Sequence, residues 1–251
     1  MPRRTSYRAG TPCWIDCLTT DPTGFAGFFA ELFGWTLEGE DGYRLIQGRS
    51  GLIGGCGRAP MGSGASAWTV YYASAHLPDD LKTLSAHGFR VVMPAWQAAA
   101  GQLALVACTD TGVVAGLFHG AHDEGVVVTA EPGSWCGTVL YAAPEPTAGV
   151  TPELLSTLLT TEPDAATNPD AGAEPDAATE PEVTADPLLP QRFSGSGPAG
   201  WAPVFGVSSL PQTQRRAVAA GAEVVDADAA GQALLRDPWG ALVGLRELAH
   251  A

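Results

Sequence analysis

The chain has 251 residues, 45% of them hydrophobic and 16% charged, with 27 Asp and Glu against 13 Lys and Arg for a formal charge of −14. That balance excludes the clustered basic surface on which nucleic-acid binding rests, and it disfavours an anionic membrane surface. No run of 18 apolar residues is present to span a bilayer, and the basic start at Met1-Pro2-Arg3-Arg4 leads into no apolar stretch, so a cytoplasmic location is expected.

Past a short tail at 1–9, Thr11–Leu18 reads as a strand, and Asp21-Pro22 supplies an N-cap and a first helical turn. Phe25, Phe28, Phe29 and Leu32 then fall on one helical face, and Gly34 ends the helix. Trp35–Leu37, Tyr43–Ile46 and Leu52–Gly55 follow as strands, with Gly54-Gly55-Cys56-Gly57 read as a strand-end turn. A second unit repeats the order: strand Trp68–Ala73, a helix of about ten residues opened by Pro78, then strands at Val91–Met93, Leu103–Ala107 and Val113–Phe118. The segment 120–130 reads as a linker, and its His119-x-x-His122-Asp123-Glu124 as solvated chain rather than a metal site.

The second half opens with a strand at Trp135–Ala142 and a helix at Pro152–Leu159. From Glu162 to Pro187 a proline falls at every sixth position, with eight acids and no base among them, which leaves only −6 on the rest of the chain. Such a stretch forms no helix and repels itself, so it is expected to be a disordered insert. Residues 201–246 then align with 68–118. Counting from Trp68 and Trp201, Leu77-Pro78 matches Leu210-Pro211, Gly88 matches Gly221, and Val91-Val92 matches Val224-Val225. Gly101-Gln102 matches Gly231-Gln232, and both copies close on G-x-x-x-G-L. The five cysteines (13, 17, 56, 108 and 136) show no C-x-x-C or zinc spacing and read as small buried hydrophobes.

Paired βαβββ units, the phrase Phe28-Phe29-Ala30-Glu31-Leu32-Phe33-Gly34-Trp35 and the ending Asp237-Pro238-Trp239-Gly240 resemble the vicinal oxygen chelate superfamily, which includes glyoxalases, bleomycin-resistance proteins and extradiol dioxygenases. The resemblance implies an α+β chain of tandem glyoxalase-like domains, at 10–119 and 131–251, built from paired βαβββ modules that form cup-shaped mixed sheets. It also implies metal ligands at positions that here hold Trp14, Thr69, Gly116, Gly137, Ala202 and Gly244. These cannot make a divalent site, so neither metal nor other cofactor is expected.

By strand alternation the first cup is lined by Trp14, Asp16, Thr69, Tyr71, Val114 and Phe118, with Gly116 leaving room for a ligand ring. Such a lining suits an apolar or aromatic small molecule. Asp16, with Tyr71, is the candidate acid or base, against the plainer reading that Asp16 only bonds its neighbours. In the second, mainly structural cup, Arg246 is the candidate hold for an anionic ligand. Three functions follow: a metal-independent binding protein for resistance, sequestration or natural-product metabolism; a metal-free isomerase, cyclase or lyase using Asp16 and Tyr71; and a scaffold acting through the insert. The expected assembly is a monomeric pseudo-dimer or a homodimer.

Overall fold

The computed structural model of the chain describes residues 7–40, 42–98, 101–120, 126, 131–142, 152–160, 191–194, 199–227 and 231–248. The predicted acidic insert, most of the linker and His122-Asp123-Glu124 lie outside these residues. Among the described residues there are fourteen strands and four helices, and the first half runs β1 (Pro12–Thr19), α1 (Pro22–Phe33), β2 (Thr36–Glu38), β3 (Tyr43–Gln47), β4 (Leu52–Arg58), β5 (Ala67–Ala73), α2 (Leu77–Ala86), β6 (Phe89–Ala98), β7 (Gly101–Cys108) and β8 (Val114–Gly120). The second half continues with β9 (Trp135–Ala142), α3 (Pro152–Thr160), β10 (Gln191–Ser194), β11 (Gly200–Val207), α4 (Leu210–Ala219), β12 (Glu223–Ala227), β13 (Gln232–Arg236) and β14 (Leu242–Glu247). No helix among the described residues is long and apolar enough to cross a membrane.

Local chemistry accounts for the first module. Asp21 caps α1 by accepting from Gly24 N–H at 3.0 Å, Pro22 occupies the first turn, and Gly34 ends the helix at φ 73° with its N–H bonded to Ala30. Phe25, Phe28, Phe29 and Leu32 form the buried stripe. The structure departs from the sequence reading at three places. The glycines at 54–57 stand inside β4 and not at a turn. His119 lies in β8, its Nδ1 2.8 Å from the Ser74 carbonyl. A short β10 pairs in parallel with β9 where no strand was foreseen.

The strands form one 14-stranded sheet made of two smaller curled sheets, β2-β3-β4-β1-β5-β8-β7-β6 and β10-β9-β11-β14-β13-β12. In each, the first strands of two modules run antiparallel, β1 with β5 and β9 with β11. The sheets join at one point, Trp68 opposite Trp201, where β5 runs past the end of its pairing with β8. Apart from that one pair, strands pair within a half, whereas helices pack across halves, α1 on α4 and α2 on α3.

The core lies between the halves. Phe29 and Trp35 stack at 4.9 Å, Trp35 meets Phe205 edge-on at 4.8 Å, and Phe28 meets Trp239 at 6.0 Å. Such pairs contribute about 1 kcal/mol each beyond their area. Polar ties cross the same seam: Trp35 Nε1 donates to the Gly133 carbonyl at 2.7 Å, and Trp201 Nε1 to the Val114 carbonyl at 2.7 Å. All five cysteines are free and buried.

Gly24 marks the closest approach of α1 to the second half, because a Cβ there would lie 2.3 Å from the Trp239 ring. Gly24→Ala is expected to lower stability by about 2 kcal/mol, the usual scale of overpacking, as read from denaturant melts. Gly27→Ala on the same helix, where a Cβ meets nothing within 4 Å, should be neutral or slightly stabilising.

Candidate functional site

The concave face of the first sheet is set by alternation along β1 and β5. Ile15 and Cys17 turn to the core, so Trp14 and Asp16 turn to the cup; Trp68, Val70 and Tyr72 turn in, so Thr69 and Tyr71 turn out. Register places Asp16 opposite Thr69 on one side and Gly55 on the other, and Trp14 opposite Tyr71. Phe118 and Tyr71 pack in one small cluster, flanked by Trp14, Leu103 and Leu105. Val114 is half-buried at the start of β8.

Asp16 is 6% exposed, and its Oδ2 accepts from the Tyr71 hydroxyl at 2.9 Å. Burial pushes its carboxyl up to about 7, and the bonds from Tyr71 and Tyr43 offset only part of that rise. Both phenols are in turn raised, by burial first and by the neighbouring Asp16 charge second. The result is a carboxyl that changes charge near neutrality, beneath an aromatic face.

Tyr43 is the site residue that the sequence reading missed. It comes from β3, two strands away from β1, and its hydroxyl lies 3.5 Å from Asp16 Oδ2 while accepting from Trp14 Nε1 at 3.1 Å. It reaches that far because Gly55 lies between: a Cβ on Gly55 would meet the Tyr43 hydroxyl directly. A glycine inside a strand signals such a close approach, and reading the 54–57 cluster as a turn hid it.

One expectation needs correcting. The room over Gly116 is taken by the chain's own Tyr71 ring, since a Cβ on Gly116 would collide with three of its ring carbons. Arg246, the candidate hold for an anion, donates to neutral groups: to Gln232 Oε1 at 3.1 and 3.3 Å and to the Cys136 carbonyl at 3.3 Å. It also stands in the second half, apart from the other candidates. The second cup is packed with Val139, Tyr141, Ala202, Val204, Leu234 and Leu242, and a shallow cleft there is bordered by Gln232 and Asp226.

Residues 139–245 match the family model described as a glyoxalase-like domain. The chain is 27% identical over 260 residues to "Putative glyoxylase CFP32" of Mycobacterium tuberculosis, covering 96% of each. It is 28% identical over 285 residues to "Anthracycline biosynthesis protein DauV" of Streptomyces sp. (strain C5), covering 98% of this chain and 96% of that one. Among solved structures it is similar to the Mn(II)-bound glyoxalase of Novosphingobium aromaticivorans, with a TM-score of 0.59 at 11% identity, covering 96% of this chain and 82% of that one. A 2,3-dioxygenase, LapB from Pseudomonas sp. KL28, gives a TM-score of 0.58 at 11% identity, with 99% and 94% covered. The architecture of curled sheets built from βαβββ modules is similar in fold to that glyoxalase and that dioxygenase.

A metal implied by that fold does not fit the donors present. The first cup offers one carboxylate and two phenols, and its expected ligand positions hold Trp14, Thr69 and Gly116 under the Tyr71 ring. A divalent ion needs three or more converging His or carboxylate ligands, and no group of three His, Cys, Asp or Glu stands together among the described residues.

Proposed function

We propose that this vicinal oxygen chelate fold works without a divalent metal, its first cup binding an apolar, aromatic small molecule in sequestration or in natural-product metabolism. The observation that carries this reading is the lining itself: Tyr71 and Tyr43 reach a single buried carboxyl, with Trp14 bonded to Tyr43 and Phe118 packed beside Tyr71, and no set of metal ligands stands among these residues. Aromatic faces with one or two polar handles are the usual make-up of a small-molecule site. The kinship with proteins named for anthracycline biosynthesis supports a polycyclic aromatic ligand.

A second reading deepens the first and is favoured by the placement of Asp16. As a carboxylate near its own pKa, it can take a proton from a C–H or O–H of the bound ring and return it at another position, an isomerisation or tautomerisation needing no oxidant. Tyr71, donating to Asp16 at 2.9 Å, holds the carboxyl in place.

Purified protein tests the metal-free binding reading directly. Thermal-shift titration with polycyclic aromatic ketones should raise the melting temperature, with the same midpoint in EDTA and in added Mn(II). A ligand shift that vanishes in EDTA and returns with Mn(II) would sink the reading.

A further inference from the structure

Trp14, Tyr43 and Asp16 make a chain of polar contacts whose middle member is held loosely. The Tyr43 hydroxyl lies 3.5 Å from Asp16 Oδ2, long for an O–H···O bond, whereas Tyr71 holds the same oxygen at 2.9 Å. Tyr43 is 45% exposed, while Asp16 and Tyr71 are each 6% exposed. Its hydroxyl reaches the carboxyl only across the bare backbone of Gly55. If Tyr43 moved away, Asp16 would keep its shorter bond, and the indole N–H of Trp14 would face the position left behind.

We propose that the Tyr43 hydroxyl is a placeholder, and that the position it fills is a subsite for a hydroxyl carried on an aromatic ring of the ligand, a phenol or an enol. The inference rests on the first cup being the binding site. The chemistry of the two flanking groups selects the ligand. Above about pH 7, where Asp16 is ionised, the indole N–H only donates and the carboxylate only accepts, so one atom that satisfies both must accept and donate, as a hydroxyl does. An ether or ketone oxygen would satisfy Trp14 but would set a second acceptor against the Asp16 carboxylate. An ammonium would satisfy Asp16 and repel the indole N–H. A site built to bond a hydroxyl discriminates strongly against an analogue lacking it, because its own groups are then left unpaired.

The displaced group is a tyrosine, whose hydroxyl at the end of a ring already marks the position where a phenolic oxygen fits. The flat aromatic environment of Trp14, Tyr71 and Phe118 suits the ring that would carry it. Ligand recognition at this cup is therefore an exchange of one phenol for another. Its selectivity lies in the donor–acceptor pair.

The test uses the full chain and three probes, naphthalene, 1-methoxynaphthalene and 1-naphthol, with affinities measured by isothermal titration calorimetry at pH 8, where Asp16 is ionised. Wild type is expected to bind 1-naphthol at least about tenfold more tightly than the methoxy compound. Trp14→Phe should abolish that preference. Tyr43→Phe, which keeps the ring and removes the competing hydroxyl, should bind 1-naphthol severalfold more tightly. Trp14 and Tyr43 are both partly exposed, so neither change opens the core. Equal binding of 1-naphthol and 1-methoxynaphthalene by wild type overturns the subsite while leaving the cup as the binding site. Weaker naphthol binding by Tyr43→Phe also overturns it, since Tyr43 would then be a ligand contact. If none of the probes binds any variant, the cup reading itself fails.

Discussion

Asp16→Asn is expected to make the protein more stable and, where it turns over a substrate, inactive. Asp16 has its carboxyl raised from an ordinary 3.8 to about 7 by burial, so the folded chain holds a proton that the unfolded chain releases. A raised carboxylate pKa means that stability is greatest at low pH, falls as pH rises from about 4 to about 7, and stays reduced above that. A shift of this size corresponds to on the order of 4 kcal/mol. Asn keeps an acceptor for the Tyr71 hydroxyl and carries no charge to bury, so at pH 8 it should recover much of that cost. In a chain of this length the melting temperature would rise by about ten degrees. The melting temperature of the variant should also depend less on pH, keeping mainly the slope of Asp237. That second carboxyl is buried in the turn before β14 and raised to about 6, with backbone N–H groups offsetting part of the burial. A melting temperature that falls on substitution at pH 8, or a pH dependence identical to wild type, would mean that Asp16 is a satisfied structural carboxylate. Loss of turnover with unchanged ligand affinity would identify it as the proton-transfer group, a role worth a factor of about 100 to 10,000 in rate.

The two glycines under the site tyrosines should respond very differently to a methyl group. At Gly116 the added Cβ would collide with the Tyr71 ring near its base, and that ring is 6% exposed and packed against Phe118. Gly116→Ala must push the ring aside and break the 2.9 Å bond to Asp16, leaving a buried carboxyl with one partner fewer. Overpacking and the lost charge-assisted bond together should cost about 3 kcal/mol, read as a lower denaturant midpoint at unchanged slope. At Gly55 the collision is with the far end of Tyr43, a side chain with open space to move into. Gly55→Ala should therefore shift stability by less than about 1 kcal/mol while removing the Tyr43 contact to Asp16. Equal costs at the two positions would show that Tyr43 is as firmly held as Tyr71.

Much of the fold was legible because its signals are local. The α1 stripe, its Asp21 cap and its Gly34 stop need no distant partner, and the match of Trp68 with Trp201 exposes the repeat directly. Alternation placed Asp16 and Tyr71 on one face, and the structure joins them by a hydrogen bond. What stayed hidden depends on contacts between strands far apart in the chain. Tyr43 reaches Asp16 only because β4 lies between β3 and β1, and the sequence does not state that order. Gly116 was read as an empty place because strand alternation reports which face a residue occupies and not what a neighbour's ring covers. The partners of Arg246, Gln232 and the Cys136 carbonyl, also lie across strand pairings and not along the chain. The pairing of the first module with the second is likewise a matter of register between β1 and β5, fixed by contacts no single segment contains.

The crossing of α1 onto α4 and of α2 onto α3 separates the demands made on the two faces of the second half. Its outer face closes the aromatic interior of the first half, so Phe205, Trp201 and Trp239 are held to their shapes by partners across the seam. Its concave face answers only to itself. The second half can therefore change what its cup contains without loosening the wall on which the first cup's rigidity depends. One copy of the repeat thus braces the other.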